Sequence, residues 1–394
     1  MALGPGRVQT ERQPRRRDRE RTPIVTLAPS RPSLVVLRNS AVTGQWSMWN
    51  SADYIASAAA AEFEVQFYSP PVALWRLPLK RFRKFLLYFD IYVLGAIGVA
   101  RAARDADLVA AADHGYAPAL WLVPRRKRTA FVHDTIAMRQ ARGQIAGAPA
   151  VSWSGRIYQA WIAHALGSMP VLAANTVLEA RYLRELGIGA QSVEVGQPAA
   201  EYRLTPAETS AFEPRHPYLL HVGSDTWIKN KAYLLEVCQA LRKRLGAEAP
   251  TLIMAGRTGA ATLDRIAALG LADAVSCISA PTDADLADLY SRARAVISTS
   301  HAEGFGVPPM EGLMFNRPLL LSDIPVFRHL YAEVARFIPL GDAHAAAECI
   351  ARALSGDPSP PHRARQDLLA RYSMAEVSLR TRAWLAAALQ ARAA

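Results

Sequence analysis

The sequence predicts an α/β protein built on two doubly wound, mainly parallel sheets. Short apolar runs recur along the chain, bounded by turn formers. Longer stretches of Ala, Leu and Arg at helical spacing lie between them, and the pattern restarts after Pro214 and Pro217. Strands alternating with helices argue for βαβ units rather than separate all-α or all-β layers.

In the first half, 33–38 (SLVVLR) reads as a buried parallel strand. Similar runs follow at 64–68, 107–111, 130–133, 171–174 and 192–195, with helical spacing at 155–167 and 177–186. In the second half, strands at 218–222, 251–255, 275–279, 295–299 and 318–322 alternate with helices at 231–245, 264–269, 283–292 and 309–315. Gly196, Pro198, Pro206 and Pro214 interrupt the periodicity and put a domain boundary near 196–216. The expected division is a basic tail over 1–32, a first domain over 33–205, a second over 206–372, and an amphipathic helix within 373–394.

Composition narrows the class. Of 394 residues, 51% are apolar and 20% charged, which is ordinary for a globular protein. Three cysteines without a C-x-x-C pair exclude a disulfide scaffold and a cysteine zinc site, and fit a reducing compartment. No stretch reaches ~18 uninterrupted apolar residues, which argues against a spanning helix. The net charge of +12 points to an anionic partner: nucleic acid, a phosphorylated substrate or a membrane surface. Seven arginines and three acids between residues 7 and 21 read as a disordered tail, either a solvated extension or one that touches anionic lipid or RNA. No apolar segment follows them as in a secretory signal.

The segment richest in chemistry is 300–312 (SHAEGFGVPPMEG). Gly304 and Gly306 flank Phe305, so a ligand can approach the backbone closely. Pro308 and Pro309 then open a helix whose N-terminal N–H groups suit a phosphate. Glu303 precedes the loop and Glu311 is expected in the first helical turn. A carboxylate can accept two hydrogen bonds from a sugar diol, although Glu311 alone would also suit a helix dipole. Lys229, a point cation after the turn at Gly223, reads as a phosphate binder, and Lys231 as structural.

The run Glu303-Gly-Phe-Gly-Val-Pro-Pro-Met-Glu311 resembles the Glu–seven-residues–Glu motif of family 4 retaining glycosyltransferases, which have the GT-B fold. Ser322-Asp-Ile-Pro-Val326, Asp285-Leu-Ala-Asp-Leu-Tyr290 and His221-Val-Gly-Ser-Asp-Thr-Trp-Ile-Lys-Asn230 resemble the surrounding family segments. The resemblance is strong over about 217–345 and weaker over about 33–205. It implies two Rossmann-like domains facing a cleft, the first binding acceptor and the second nucleotide sugar, with the C-terminal helix crossing back.

The resemblance also implies roles. Glu311 would hold the nucleotide ribose, and Glu303 would contact the transferred sugar. Gly304, Phe305 and Gly306 would present N–H groups to sugar and diphosphate, and Lys229 would neutralise the diphosphate. Many members carry a second cation just after the loop glycine, where this chain has Ser224; Arg257 is a possible substitute. His133-Asp134 resembles the family's strand end facing the donor sugar. Two readings stay open there, since His133 also suits a satisfied core histidine and Asp134 a helix cap. Gly44 resembles the acceptor-side glycine loop without its usual double glycine, and His114 ends a neighbouring strand as a second acceptor-side candidate.

Two D-x-D triplets, Asp105/Asp107 and Asp283/Asp285, look like metal signatures. The first precedes a strand and the second opens a helix, so no metal site is expected. Residues 74–90 place Arg76, Lys80, Arg81, Arg83 and Lys84 among Trp75, Phe82, Phe85 and Phe89, in an apolar stretch continuing to about residue 100. This reads as an interfacial anchor on anionic lipid, too short to span and interrupted at Asp90, or as a core helix with one wet basic face. No RNA-binding signature accompanies the charge.

The combined expectation is a metal-independent hexosyltransferase, cytoplasmic and peripheral on the inner face of the membrane. It would move a sugar, preferably mannose from GDP-mannose, to a lipid-linked or glycan acceptor in polysaccharide assembly. The alternatives are a UDP-sugar enzyme on the same fold and a non-catalytic sugar-binding protein.

Overall fold

The computed structural model describes residues 31–43, 46–199, 204, 217–356 and 360–392. Gly44, the tail over 1–30 and most of the expected boundary at 196–216 lie outside the described residues. The chain from Pro32 onward packs as one unit.

Two six-stranded, all-parallel sheets form its frame. The first contains β1 (Ser33–Leu37), β2 (Glu64–Tyr68), β3 (Leu108–Ala111), β4 (Arg128–Val132), β5 (Val171–Ala174) and β6 (Gln191–Glu194), in spatial order β2-β1-β3-β4-β5-β6. The second contains β7 (Tyr218–Val222), β8 (Thr251–Ala255), β9 (Val275–Ile278), β10 (Ala295–Ser298), β11 (Leu319–Ser322) and β12 (Ala335–Ile338), in order β12-β11-β10-β7-β8-β9. Central strands such as LVAA, VLAA and AVIS are buried along their whole length. That is what helices on both faces of a parallel sheet require. Strand β12 was not expected, because ARFI alternates with an exposed arginine and carries no long apolar run.

The strand orders locate the ligand sites. Each sheet reverses direction once, between β1 and β3 in the first and between β7 and β10 in the second. Open α/β sheets bind ligands outside the carboxyl ends of the strands at such switch points.

The C-terminal helix (Met374–Gln390) crosses back onto the first sheet. Trp384 is fully buried, and its indole N–H donates to the Thr129 hydroxyl at 2.8 Å. Its ring meets Phe131 edge-on at 6.0 Å. Burying such a side chain contributes roughly 1.5–3 kcal/mol, and the N–H partner removes the cost of desolvating the indole.

One sequence expectation changes. Residues Lys80–Ala102 form a continuous helical run, long and apolar enough to cross a membrane by length and composition. Asp90 does not interrupt it. The carboxylate turns inward, fully buried, and accepts the backbone N–H groups of Leu74 (3.0 Å) and Trp75 (2.9 Å). A π-helical turn at Asp90–Leu94 accommodates this inside the run.

Candidate active site

At the second switch point, a 3-10 turn, Trp227–Lys229, follows β7 and ends at Asn230, whose φ of 50° is left-handed. Asparagine tolerates that conformation better than most residues. The turn lays the Lys229 side chain across Gly223, where a Cβ would sit 3.2 Å from Lys229 Cδ. Lys229 Nζ donates to Glu303 Oε1 at 2.6 Å. Ser300 Oγ donates to the same oxygen at 2.7 Å, and Ser322 Oγ fixes the Ser300 carbonyl at 2.7 Å. The loops after β7, β10 and β11 therefore converge on one carboxylate.

The next turns are shaped by packing. Gly306 has φ 85°, and a Cβ there would meet Phe327 at 2.6 Å. Tyr331 OH donates to the Gly306 carbonyl at 2.7 Å. Phe305 is buried edge-on against Tyr372 at 4.9 Å, so its side chain anchors the loop. The helix runs Val307–Met314, with both prolines in its first turn. Glu311 thus falls in the second turn and not the first, which removes the helix-dipole reading. Its buried carboxylate accepts from Tyr290 OH at 2.7 Å, and Tyr290 stacks on Phe315 at 5.7 Å.

Asp225 ties the neighbouring loops together, accepting from Gly259 N at 2.6 Å and Thr262 Oγ1 at 3.0 Å. Ser224 and Arg257 are both exposed beside it. Lys231 is buried, donates to the Arg257 carbonyl at 3.0 Å, and has its pKa lowered chiefly by burial.

At the first switch point, Asn39 Nδ2 donates to Asp113 Oδ2 at 2.7 Å, and Gly115 N donates to Asp113 Oδ1 at 2.8 Å. Burial alone would raise the Asp113 carboxyl. The neighbouring His114 ring, with those donors, holds it below its ordinary value. His114 sits beside it, Nδ1 3.6 Å from Asp113 Oδ1. His133 is buried, with Nε2 2.8 Å from the Ala112 carbonyl and Nδ1 3.0 Å from Gln197 Nε2. A carbonyl can only accept, so Nε2 carries the hydrogen and Nδ1 accepts: the ring is neutral. Burial pushes its pKa down, in agreement.

The two switch points meet through backbone. A Cβ on Gly304 would lie 2.3 Å from the His133 carbonyl oxygen and 2.7 Å from Asp134 Cβ. Only glycine allows that approach. Asn175 Nδ2 holds the same His133 carbonyl at 2.6 Å, and Asp134 accepts from Ile136 N at 2.9 Å. A cavity of about 70 Å³ opens beside this contact, lined by Arg139, Ile145 and Tyr182 on one side and His301, Glu303 and Ile324 on the other.

The structure therefore brings Lys229, Glu303, Gly304 and His133 together, with Gly223 and Glu311 behind them. It leaves Arg76, Lys80, Arg81, Arg83 and Lys84 exposed on the segment that follows β2. Ser300, Tyr290, Asp225, Asn39, Asp113 and Gln197 were missed as partners. One aspartate of each D-x-D triplet has protein partners: Asp107 accepts from Ser33 N at 2.9 Å and pairs with Arg392, and Asp285 closes a capping box with Thr282. Among the described residues no group of three His, Cys, Asp or Glu side chains could hold a metal ion.

Residues 207–368 match the family described as glycosyl transferases group 1. Over 89 residues the chain is 37% identical to an O-antigen chain mannosyltransferase of Salmonella typhimurium, covering 22% of this chain and 25% of that protein. Over 54 residues it is 44% identical to a serotype-specific mannosyltransferase of Escherichia coli, covering 14% of this chain and 7% of that protein. The matches thus span a quarter or less of these relatives. Among solved structures, sucrose-phosphate synthase from Thermosynechococcus elongatus superposes with a TM-score of 0.71 at 16% identity, covering 91% of this chain and 100% of that chain. That likeness carries the fold, which is GT-B.

Proposed function

We propose, on the premise that residues 207–368 form a glycosyl transferases group 1 domain, that the protein transfers a hexose from a nucleotide sugar to a hydroxyl acceptor. The observation that carries this is the Lys229–Glu303 pair at the second switch point, with Glu311 held behind it by Tyr290. A diphosphate entering there meets Lys229 and the loop N–H groups of 304–306. Lys229 then exchanges its carboxylate partner for the leaving diphosphate, and Glu303 is released to the sugar. Rate enhancement comes from positioning and from stabilising the departing charge. Glu311 takes the ribose, and no protein nucleophile is assigned. The neutral His133 offers its ring edge and backbone to the sugar without adding charge. No metal is required, since Lys229 and the loop amides supply the positive charge.

Mannose from a guanosine donor is the preferred substrate, supported by the two mannosyltransferase relatives; a UDP-sugar is the competing choice. The first sheet, with Asn39, Asp113 and His114 at its switch point, receives the acceptor. We place its work at the cytoplasmic face of a membrane, on a lipid-linked or glycan acceptor. The sheets divide these tasks as a first domain over 33–205 and a second over 206–372.

The test is thermal stabilisation by GDP, UDP, ADP and dTDP, with and without magnesium, on wild type and Glu311→Ala. Stabilisation of the wild type alone by one nucleotide, without magnesium, supports the reading and names the base. No shift at millimolar nucleotide would turn it toward a binding protein that kept the fold.

A further inference from the structure

The first half exposes aromatic surface that glycosyl transfer does not use. Phe82, Phe85 and Phe89 are 53%, 68% and 45% exposed, three and four residues apart, and so share one helix face. On the helix Trp153–Gly167, Trp153, Ile157 and Trp161 are 78%, 51% and 39% exposed, each four residues after the last. Trp121 and Leu122 add a third exposed apolar point.

Tyr92 joins these segments. Its ring meets Trp161 at 4.9 Å, its hydroxyl lies 2.5 Å from that of Tyr158, and its carbonyl accepts from Trp121 Nε1 at 3.1 Å. Tyr88, one turn earlier, stacks on Tyr158 at 5.4 Å. The exposed stripes therefore border one shared cluster. Soluble proteins rarely leave an apolar patch of this kind uncovered.

The charge around the patch has one sign. Segments 74–89, 121–128 and 153–167 contain no Asp or Glu. They carry the five cations of 76–84 together with Arg125, Arg126 and Arg156, all exposed. Arg83 lies over the Trp75 ring at 4.0 Å, which holds cation and aromatic side by side.

Spanning is excluded by packing. Ile91, Tyr92 and Val99 of the long helix are buried in the first-half core, and Ala96 beside them is fully buried. A Cβ on Gly98 would collide with the Tyr68 hydroxyl, which fits the helix closely against the end of β2. The helix can offer a membrane only its outer stripe.

We propose that the helices Lys80–Ala102 and Trp153–Gly167, with Trp121 and Leu122 between them, form one interfacial docking face for an anionic lipid leaflet. Aromatic and aliphatic tips enter the headgroup boundary while the acid-free basic rim meets lipid charge. This extends the membrane-facing expectation from 74–90 to a second helix, and it does not depend on the sugar-transfer reading.

Flotation with vesicles of phosphatidylglycerol and phosphatidylcholine in about equal parts, against pure phosphatidylcholine, tests it. Wild type should float only with the anionic vesicles, lose binding as salt rises, and show a blue shift in tryptophan emission. Replacing Trp153→Ser together with Ile157→Ser should lower partition about tenfold. Replacing Arg81→Glu, Arg83→Glu and Lys84→Glu should lower it about a hundredfold or more. Both variants should keep the wild-type melting temperature and nucleotide-induced shift. If the Trp153/Ile157 variant floats as wild type does, the second helix is not part of the face. If wild type ignores anionic vesicles, lipid is not the occupant. If no nucleotide shifts any of these proteins while flotation follows the expected order, the docking face stands and the transferase reading falls.

Discussion

The two switch points share a topology and differ in chemistry. Between β7 and β10 a lysine and a glutamate pair directly, each retaining some exposure. Between β1 and β3 an asparagine and an aspartate pair in full burial, beside a histidine with both ring nitrogens bonded. Lys229 can trade its carboxylate partner for an arriving anion without losing a charged partner, while Ser300 keeps its hydrogen bond to Glu303. A buried hydrogen-bonded network is costly to disturb. The second switch point is thus suited to bind and release charge, and the first to hold a fixed shape against which a neutral hydroxyl can be placed.

Gly304→Ala should break this comparison most severely, because the two regions touch there. The new Cβ must displace the His133 carbonyl or open the cleft. Overpacking of this kind costs about 1–3 kcal/mol, and a misplacement near 1 Å lowers turnover by about 10²-fold or more. Nucleotide binding, seated on the second sheet, should survive. Wild-type turnover in the variant would show that the halves need not meet during reaction.

Lys229→Ala removes one side of the exchange. Turnover should fall by about 10²-fold, as for other preorganised electrostatic groups. A loss under about threefold would place Lys229 on the surface and not in the reaction.

Glu311→Ala should weaken nucleotide binding by about tenfold or more, and Tyr290→Phe, which removes one hydrogen bond to Glu311, by roughly fivefold. Titration of both variants with whichever nucleotide stabilises the wild type checks this. An unchanged dissociation constant for Glu311→Ala would sink its ribose role.

What was legible in sequence follows from distance along the chain. Glu303, Gly304, Gly306 and Glu311 lie within nine positions, so their spacing could be read at once. Strands such as 171–174 and 251–255 matched because their apolar runs end abruptly in turn formers. Asn39 and Asp113 lie 74 positions apart and meet only because β1 and β3 are neighbours in the sheet. Tyr290 and Ser300 sit in segments already read as helix and loop, and nothing local marks a hydroxyl as a carboxylate's partner. Asp90 misled because an acid in an apolar run suggests an ending, whereas two amide donors from 74–75 made it an internal cap. The stripe Trp153, Ile157 and Trp161 has the spacing of a core face, and only its exposure shows that it faces outward.

The smallest effect on turnover is expected at Glu179, which lies on the first-sheet side of the comparison. Its carboxyl is buried at the start of the helix Val177–Glu185, and burial, reinforced by Asp134, pushes its pKa from 4.5 up to about 8. The folded protein therefore keeps this proton between pH 4.5 and about 8, while the unfolded chain releases it. Because the native state binds more protons in that window, stability falls as pH rises through it. Glu179→Gln cannot ionise and should remove that slope. Its stability relative to wild type should grow by roughly 2–4 kcal/mol between pH 5 and pH 8, with turnover changed less than about threefold. Denaturant melts of both proteins across this range decide it. A constant difference would show that Glu179 ionises as an ordinary carboxyl and that the region around Asp134 is wetter than its packing indicates. A difference that grows with pH would show that the packing here excludes a second carboxylate charge beside Asp134, whereas the Lys229–Glu303 side accommodates both of its charges as a pair.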